Sequence, residues 1–450
     1  MTDLSSVYNK LSTEPLQEKD LDCYVDTYPG RGGARPVSRL KRLLGYNREG
    51  ILPDGKLLDR ELQILFSGYK GCGKSTELNK LQHEIGNDFI VVNFSVRQEL
   101  DIIHLTYIDL FVITMEKLFY AVADHGIEIE PLLLTSISEW SRTAELQTIS
   151  DLTGEASLET GGEAGVGIRG FARFFGKMRL AGKASSTTRK IIIENIEPRV
   201  SDFISHCNDL IREIRNNLEH CGKKGLLIIM EDLDKLSLEK AEELFFNHSH
   251  ILNSLQTNVI FTIPISLCYH PNAVNIKGNF SEHFELPMVK VHDREGALYP
   301  DGRETLYRLI TRRIPAECFE PPDLLYRFID ISGGCLRDLF SMLRSAVDNA
   351  LDNERATITE PDYRTAFFSL RRDYENTIAE KRVDNQVLVS VGDYYQTLKA
   401  VAESKTKKVD NTATVLDLRQ NLCILGYNDE GWCDVHPVVR TILQERELIP

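Results

Sequence analysis

Residues 68 to 76 read GYKGCGKST, which places Gly68, Gly73, Lys74 and Ser75 at the spacing G-x-x-x-x-G-K-S/T, with Gly71, Cys72 and Thr76 completing the segment. Glycines let successive backbone N–H groups turn inward around phosphate oxygens, and a helix that begins there adds its dipole. In such a loop Lys74 neutralises β- and γ-phosphates, while the Ser75 hydroxyl ligates Mg²⁺. A second cluster, LLIIMEDLDKL at 226 to 236, delivers Glu231, Asp232 and Asp234 directly after an apolar run. A metal needs a carboxylate and an attacking water needs a polarising base, so the two clusters complement each other. We expect Glu231 in the Mg²⁺ shell and Asp232 on the water, with the reverse assignment open. A glycine-rich turn or a solvated acidic turn explains either cluster alone; their pairing favours one site.

Strands have to bring these clusters together. LQILFS (62–67), FIVVNF (89–94), LLIIM (226–230) and NVIFTI (258–263) are short apolar runs, and Met288 to Val291 is a further candidate. Runs of this kind separated by helical patterns predict a parallel α/β sheet. TELNKLQHEI supplies the helix after the glycine-rich loop, which is the context such a loop requires. A long insertion at about 100 to 220 interrupts the pattern. It holds a helix near 104 to 123, a Gly-rich stretch at 154 to 170, a basic run with aromatic residues, and a long helix. That last helix carries Ile196, Val200, Phe203, Cys207, Leu210, Ile211, Ile214 and Leu218 on one face.

The remaining boundaries follow from composition. Residues 1 to 60 are a loop-rich approach, with turn signals in YPGRGGARP (28–36) and LPDG (52–55). A core at 61 to 300 precedes a mainly helical region at 301 to 380. The tail at 385 to 450 has a helix near 393 to 404, then QNLCILGY and WCDVHPVV around the turn NDEG (428–431), the order of a small winged-helix-like module.

With 450 residues, 42% hydrophobic and 27% charged, the composition is that of an ordinary multidomain globular chain. The net charge of −14 argues against nucleic-acid binding by the whole surface. A local exception is Arg169 to Lys190, with seven basic residues and no acid, interleaved with Phe171, Phe174 and Phe175. It fits either a nucleic-acid or anionic-surface contact or, preferred here, a mobile solvated excursion pinned to an acidic neighbour. The most apolar helical stretch, Leu105 to Ala123, contains Asp109, Glu116 and Lys117, so no membrane span is expected. The polar start MTDLSSVYNK lacks the form of a secretory signal, and nine cysteines without a C-x-x-C pair suit reduced thiols; both point to the cytoplasm.

The loop, the acidic strand and SGGCLRDLF (332–340) together resemble the AAA+ and STAND branches of P-loop ATPases, most of all bacterial ATPases related to origin-recognition initiators. The resemblance implies a P-loop parallel sheet with flanking helices, a helical lid over 301 to 380 and the small winged-helix-like module. It implies ATP and Mg²⁺ as cofactors and places a γ-phosphate-sensing arginine at Arg337. Thr262 and Ser266 stand where a polar sensor after the fourth strand is found in relatives. Arg312 and Arg313 resemble a finger or nucleotide-sensing arginine, although a solvated helix face is the plainer account. His436 resembles a nucleotide-sensing histidine, with a structural histidine preferred.

Together these features predict an ATP-binding, ATP-hydrolysing switch or assembly ATPase, a homo-oligomer acting on a separately encoded protein partner. Bacterial defence or signalling is implied by the resemblance alone. Two alternatives use the same residues: a DNA-binding initiator-like or loader ATPase, in which the tail and basic run touch nucleic acid, and a nucleotide-gated scaffold with negligible turnover.

Overall fold

The computed structural model describes residues 4–33, 35–47, 50–51, 61–146, 164–383, 386–427 and 431–450. The LPDG turn, the Gly-rich stretch up to residue 163 and residues 428 to 430 of the NDEG turn lie outside them.

Five segments pair in parallel: β1 (Gln63–Gly68), β2 (Phe89–Ser95), β3 (Gly225–Glu231), β4 (Asn258–Ile263) and β5 (Glu282–Leu286), in the order β2-β3-β4-β1-β5. Every residue of β1 and β3 is buried, which is why both read as largely apolar runs. Leu226, Ile228 and Met230 pack on one side with the insertion, while Leu227 and Ile229 pack on the other with the tail. The sheet is thus covered on both faces.

The fifth strand is not at Met288–Val291. It lies at Glu282–Leu286, where Phe284 and Leu286 alternate with the less buried His283 and Glu285, the pattern of an edge strand. Pro287 follows it and has no N–H to continue the ladder. The next segment is buried by other bonds: the Lys290 amide donates to Gly30 O at 2.8 Å, and the Tyr299 amide to Val291 O at 2.9 Å.

Helix α1 (Lys74–Ile85) starts at the glycine-rich loop. The insertion contributes α2 (Tyr107–Asp124), a helix at Pro131–Thr143, α3 (Ala164–Ala184), α4 (Ser186–Ile196) and α5 (Val200–Asn216). The expected long helix is therefore two, split by a 3-10 turn at Glu197–Arg199, because Pro198 lacks the amide an uninterrupted helix needs. The basic run is helical, not a mobile excursion, and its aromatics are core. Phe171 and Phe175 stack on Phe119 at 5.1 and 6.1 Å.

A helical region follows, with α6 (Pro300–Thr311), α7 (Leu324–Ile331), α8 (Leu336–Asp352) and α9 (Glu360–Thr377). Leu4, Val7 and Leu11 of the N-terminal segment pack into its core. The tail folds as α10 (Val391–Glu403), α11 (Ala413–Gln420), an antiparallel ribbon of Ile424–Gly426 with Cys433–Val435, and α12 (Pro437–Glu445). Among the described residues no helix is long and apolar enough to cross a membrane.

Candidate active site

The C-terminal ends of β1, β2 and β3 open into one cleft of about 1270 Å³, roofed by the end of α6, the start of α8 and residues 9 to 31. Ligands of parallel α/β sheets bind at this edge. The loop after β1 turns through left-handed conformations at Gly71 (φ +75°) and Gly73 (φ +102°), which only glycine adopts without strain. At Gly71 a Cβ would also lie 2.5 Å from the Cβ of Arg337.

Lys74 is 6% exposed. Its ammonium donates to Gly68 O at 2.8 Å and Tyr69 O at 3.1 Å and sits 2.8 Å from Asp234 Oδ2. Burial alone lowers the proton affinity of this amine, but Asp234 outweighs it, so Lys74 stays firmly charged.

The two adjacent acids occupy different settings. Glu231 ends β3, where burial pushes its carboxyl above the ordinary value against hydrogen bonds from Ser75 and Asn93, the latter at 3.1 Å. Asp232 turns away with a left-handed backbone (φ +67°), an uncommon conformation for a residue with a side chain. It accepts from Ser95 Oγ at 2.5 Å and pairs with Lys235 Nζ at 2.6 Å. Burial pushes its carboxyl up too, but those two partners more than offset this and hold it below the ordinary value. Ser75 and Glu231 thus present hard oxygen donors side by side, a set that suits Mg²⁺.

Arg337 begins α8 and lines the cleft, its amide donating to Gly71 O at 3.3 Å. Arg313 lines it as well; it is 7% exposed and lies over the Phe340 ring, so it does not belong to a solvated face, whereas Arg312 is exposed. Thr262 and Ser266 do not line the cleft. Thr262 donates to Met230 O between strands, and Ser266 Oγ donates to Gln420 Oε1. His436 is fully buried, stacked on Tyr374, with Nδ1 accepting from the Val438 amide. Its setting is that of a structural histidine.

Several site residues have no signal in the sequence. Arg31, 1% exposed, donates to Cys72 O at 2.6 Å and also to Pro287 O, pinning the loop. The Leu16 amide donates to Thr76 Oγ1 at 3.2 Å, and the Tyr24 and Tyr28 hydroxyls donate to Glu77. The N-terminal approach is therefore one wall of the cleft. YPGRGGARP shows a turn, but nothing local shows that its arginine reaches about forty residues along the chain.

Arg179 and Arg189 of the basic run are buried in ion pairs, Arg179 with Glu116 at 2.6 Å and Glu99 at 2.7 Å, Arg189 with Asp109 at 2.6 Å. Arg169, Arg173 and Lys190 are exposed.

No family model and no curated protein matches the chain. Among solved structures, Cdc6p from Pyrobaculum aerophilum aligns at 12% identity over 94% of this chain and 99% of that one, with a TM-score of 0.35. The Aeropyrum pernix ORC2 protein, solved as ADPNP-ADP complexes, aligns at 12% identity over 98% of both chains with a TM-score of 0.36. Aeropyrum pernix ORC1, in complex with DNA, aligns at 10% identity over 98% and 96%, with a TM-score of 0.37. Likenesses of this size carry no argument about function. The loop and acidic strand of the chain itself do.

Proposed function

We propose that the chain binds a nucleoside triphosphate with Mg²⁺ in this cleft and hydrolyses it, ATP being the nucleotide the motif resemblance implies. The observation that carries the reading is the convergence of Lys74, Glu231, Asp232 and Arg337 on one cleft at the open edge of the sheet. Lys74 faces the β- and γ-phosphates, and Ser75 and Glu231 hold the metal, which supplies charge neutralisation when bound. Asp232 orients the attacking water, and Arg337 meets the γ-phosphate. Hydrolysis then acts as a switch, with the helices at 301 to 380 serving as a lid and a separate protein partner, or further copies of the chain, reading its position. The burial of Arg179 and Arg189 in ion pairs supports this reading over nucleic-acid binding by the basic run.

Lys74→Ala tests the reading, because it removes the phosphate-facing cation. The variant should fold, lose calorimetric binding of ATP·Mg²⁺ and release no phosphate. Unchanged turnover in the purified variant would remove the basis of the proposal.

A further inference from the structure

One ion pair in the cleft has no part in the chemistry just assigned. Lys74 Nζ, whose three donors are all an ammonium has, is fully committed to Gly68 O, Tyr69 O and Asp234 Oδ2. Two of these partners are neutral carbonyls and the third is a carboxylate. A phosphate can reach the ammonium only by displacing one of them, and Asp234 is the one whose charge it duplicates. Asp234 lies on the turn Leu233–Lys235 that follows β3, and its own backbone carbonyl accepts from Gln420 Nε2 at 3.2 Å. Gln420, the last residue of α11, accepts in turn from Ser266 Oγ at 3.1 Å. One residue therefore touches both the phosphate-facing lysine and the tail.

We propose that Asp234 is a positioning residue that occupies Lys74 in place of a phosphate, and that its displacement by nucleotide loosens the Gln420 contact holding the tail. The proposal rests on the nucleotide-binding reading above. Its physical basis is like-charge repulsion: a phosphate brought to Lys74 lies within a few ångströms of a carboxylate 8% exposed, where water screens poorly. The carboxylate moves, and the short turn that carries it moves with it. Asp234 thus competes with the ligand. A carboxylate that held metal, or that merely shaped the site, would assist binding, so the two roles predict opposite signs.

Titration calorimetry with ATP·Mg²⁺ on the full-length protein, Asp234→Asn and Asp234→Ser reads the sign. Both variants should bind about three- to tenfold more tightly, the range a weakened competing ion pair gives. Hydrogen exchange of residues 413–420 reads the coupling. Nucleotide should speed exchange there in the unaltered protein, whereas Gln420→Ala should exchange fast from the start and respond no further. By the reciprocity of the coupling, Gln420→Ala should also bind nucleotide more tightly, by no more than the factor by which nucleotide speeds exchange in the unaltered protein. Absence of binding by the unaltered protein would bring down the nucleotide reading together with this proposal. Binding by the unaltered protein, with equal or weaker binding by the two Asp234 variants, overturns the proposal alone. Exchange at 413–420 indifferent to nucleotide overturns the coupling.

Discussion

Glu231 and Asp232 are chain neighbours whose surroundings drive their carboxyls in opposite directions, so the two proposed roles can be tested apart. Asp232, held below the ordinary carboxylate range by Ser95 and Lys235, borders the cleft, where the proposed reading has it orient the attacking water. Asp232→Asn should leave ATP·Mg²⁺ binding within a few-fold of the parent while slowing phosphate release by about two orders of magnitude or more. Glu231→Gln should instead weaken binding only when Mg²⁺ is present; the converse pattern would exchange the two roles. The same divergence fixes a pH response. Glu231 must lose its proton to hold the metal, and burial raises its proton affinity, so metal-dependent binding should begin to fail on acidification above pH 4.5, the ordinary glutamate value. Asp232, shifted down, stays ionised through that window. A titration of Mg²⁺-dependent affinity against pH checks this, and a loss confined to pH values below about 4 would contradict the assignment. Arg337 carries a further residue-scale prediction. Its side chain borders the cleft while its amide is tied to Gly71 O, so the loop and the first turn of α8 are joined directly. Arg337→Ala should leave ADP affinity nearly unchanged and weaken ATP affinity by about ten- to a hundredfold, the worth of one charged contact. Equal losses for both nucleotides would assign Arg337 to lid packing.

At the scale of elements, the insertion shows how a charged run becomes structural. Gly176 lets α3 close onto α2, since a Cβ there would lie 2.9 Å from Glu116 Oε1, and Arg179 then meets Glu116 and Glu99. With Arg179 and Glu116 only 8% and 5% exposed at their side chains, Arg179→Met should cost about 3 kcal/mol by stranding a buried carboxylate. Arg179→Met combined with Glu116→Leu should recover most of that loss. Urea denaturation of the parent and the two variants decides it, and an Arg179→Met variant as stable as the parent would show that the pair contributes nothing. Charge reversal at the exposed Arg169, Arg173 and Lys190 should leave stability within about 0.5 kcal/mol, so these are the positions at which DNA binding is fairly tested. What the sequence discloses follows the same physics. Four of the five strands are legible because buried parallel strands are largely apolar, and the phosphate-binding loop is legible because its glycines and lysine are local. The fifth strand is obscured because an edge strand alternates with polar residues, while Met288, Val289 and Val291, just beyond Pro287, form a competing apolar cluster broken only by Lys290. The split of the long helix is marked by Pro198, yet the apolar face continues across it, and periodicity alone does not register a break. The wall built from Leu16, Tyr24, Tyr28 and Arg31 leaves no trace, since each contact spans about forty to sixty residues and no periodicity records it.

The whole molecule converges on the loop at 69 to 76. The N-terminal segment reaches it through Leu16 to Thr76 and Arg31 to Cys72, the helical region through Arg337 to Gly71, and the tail through Arg419 to Tyr69. The tail is also tied to the turn before α8, where Tyr427 donates to Gly333 O at 3.0 Å. A ligand seated in the loop therefore touches a junction where three segments meet the sheet's own loop, which is what a switch read by other molecules requires. The tail's share of this junction can be tested at one pair. Arg419 Nη1 donates to the Tyr69 hydroxyl at 2.6 Å, Tyr69 is 0% exposed, and the guanidinium lies 4.2 Å from the centre of the Tyr269 ring. Arg419→Met keeps the stem and its packing but leaves the buried hydroxyl without its donor, at a cost of about 1–3 kcal/mol. That loss falls on the contact between tail and core, so exchange of amides at 413–445 should speed by about five- to a hundredfold, while amides of β3, buried within the sheet, should be unaffected. Adding Tyr69→Phe removes the stranded hydroxyl and should restore part of the protection, because the two changes share one contact and their effects do not add. If Arg419→Met alone leaves the tail's exchange as slow as in the parent, the tail is held by its apolar contacts with the sheet, and the junction at the loop loses the tail as a member.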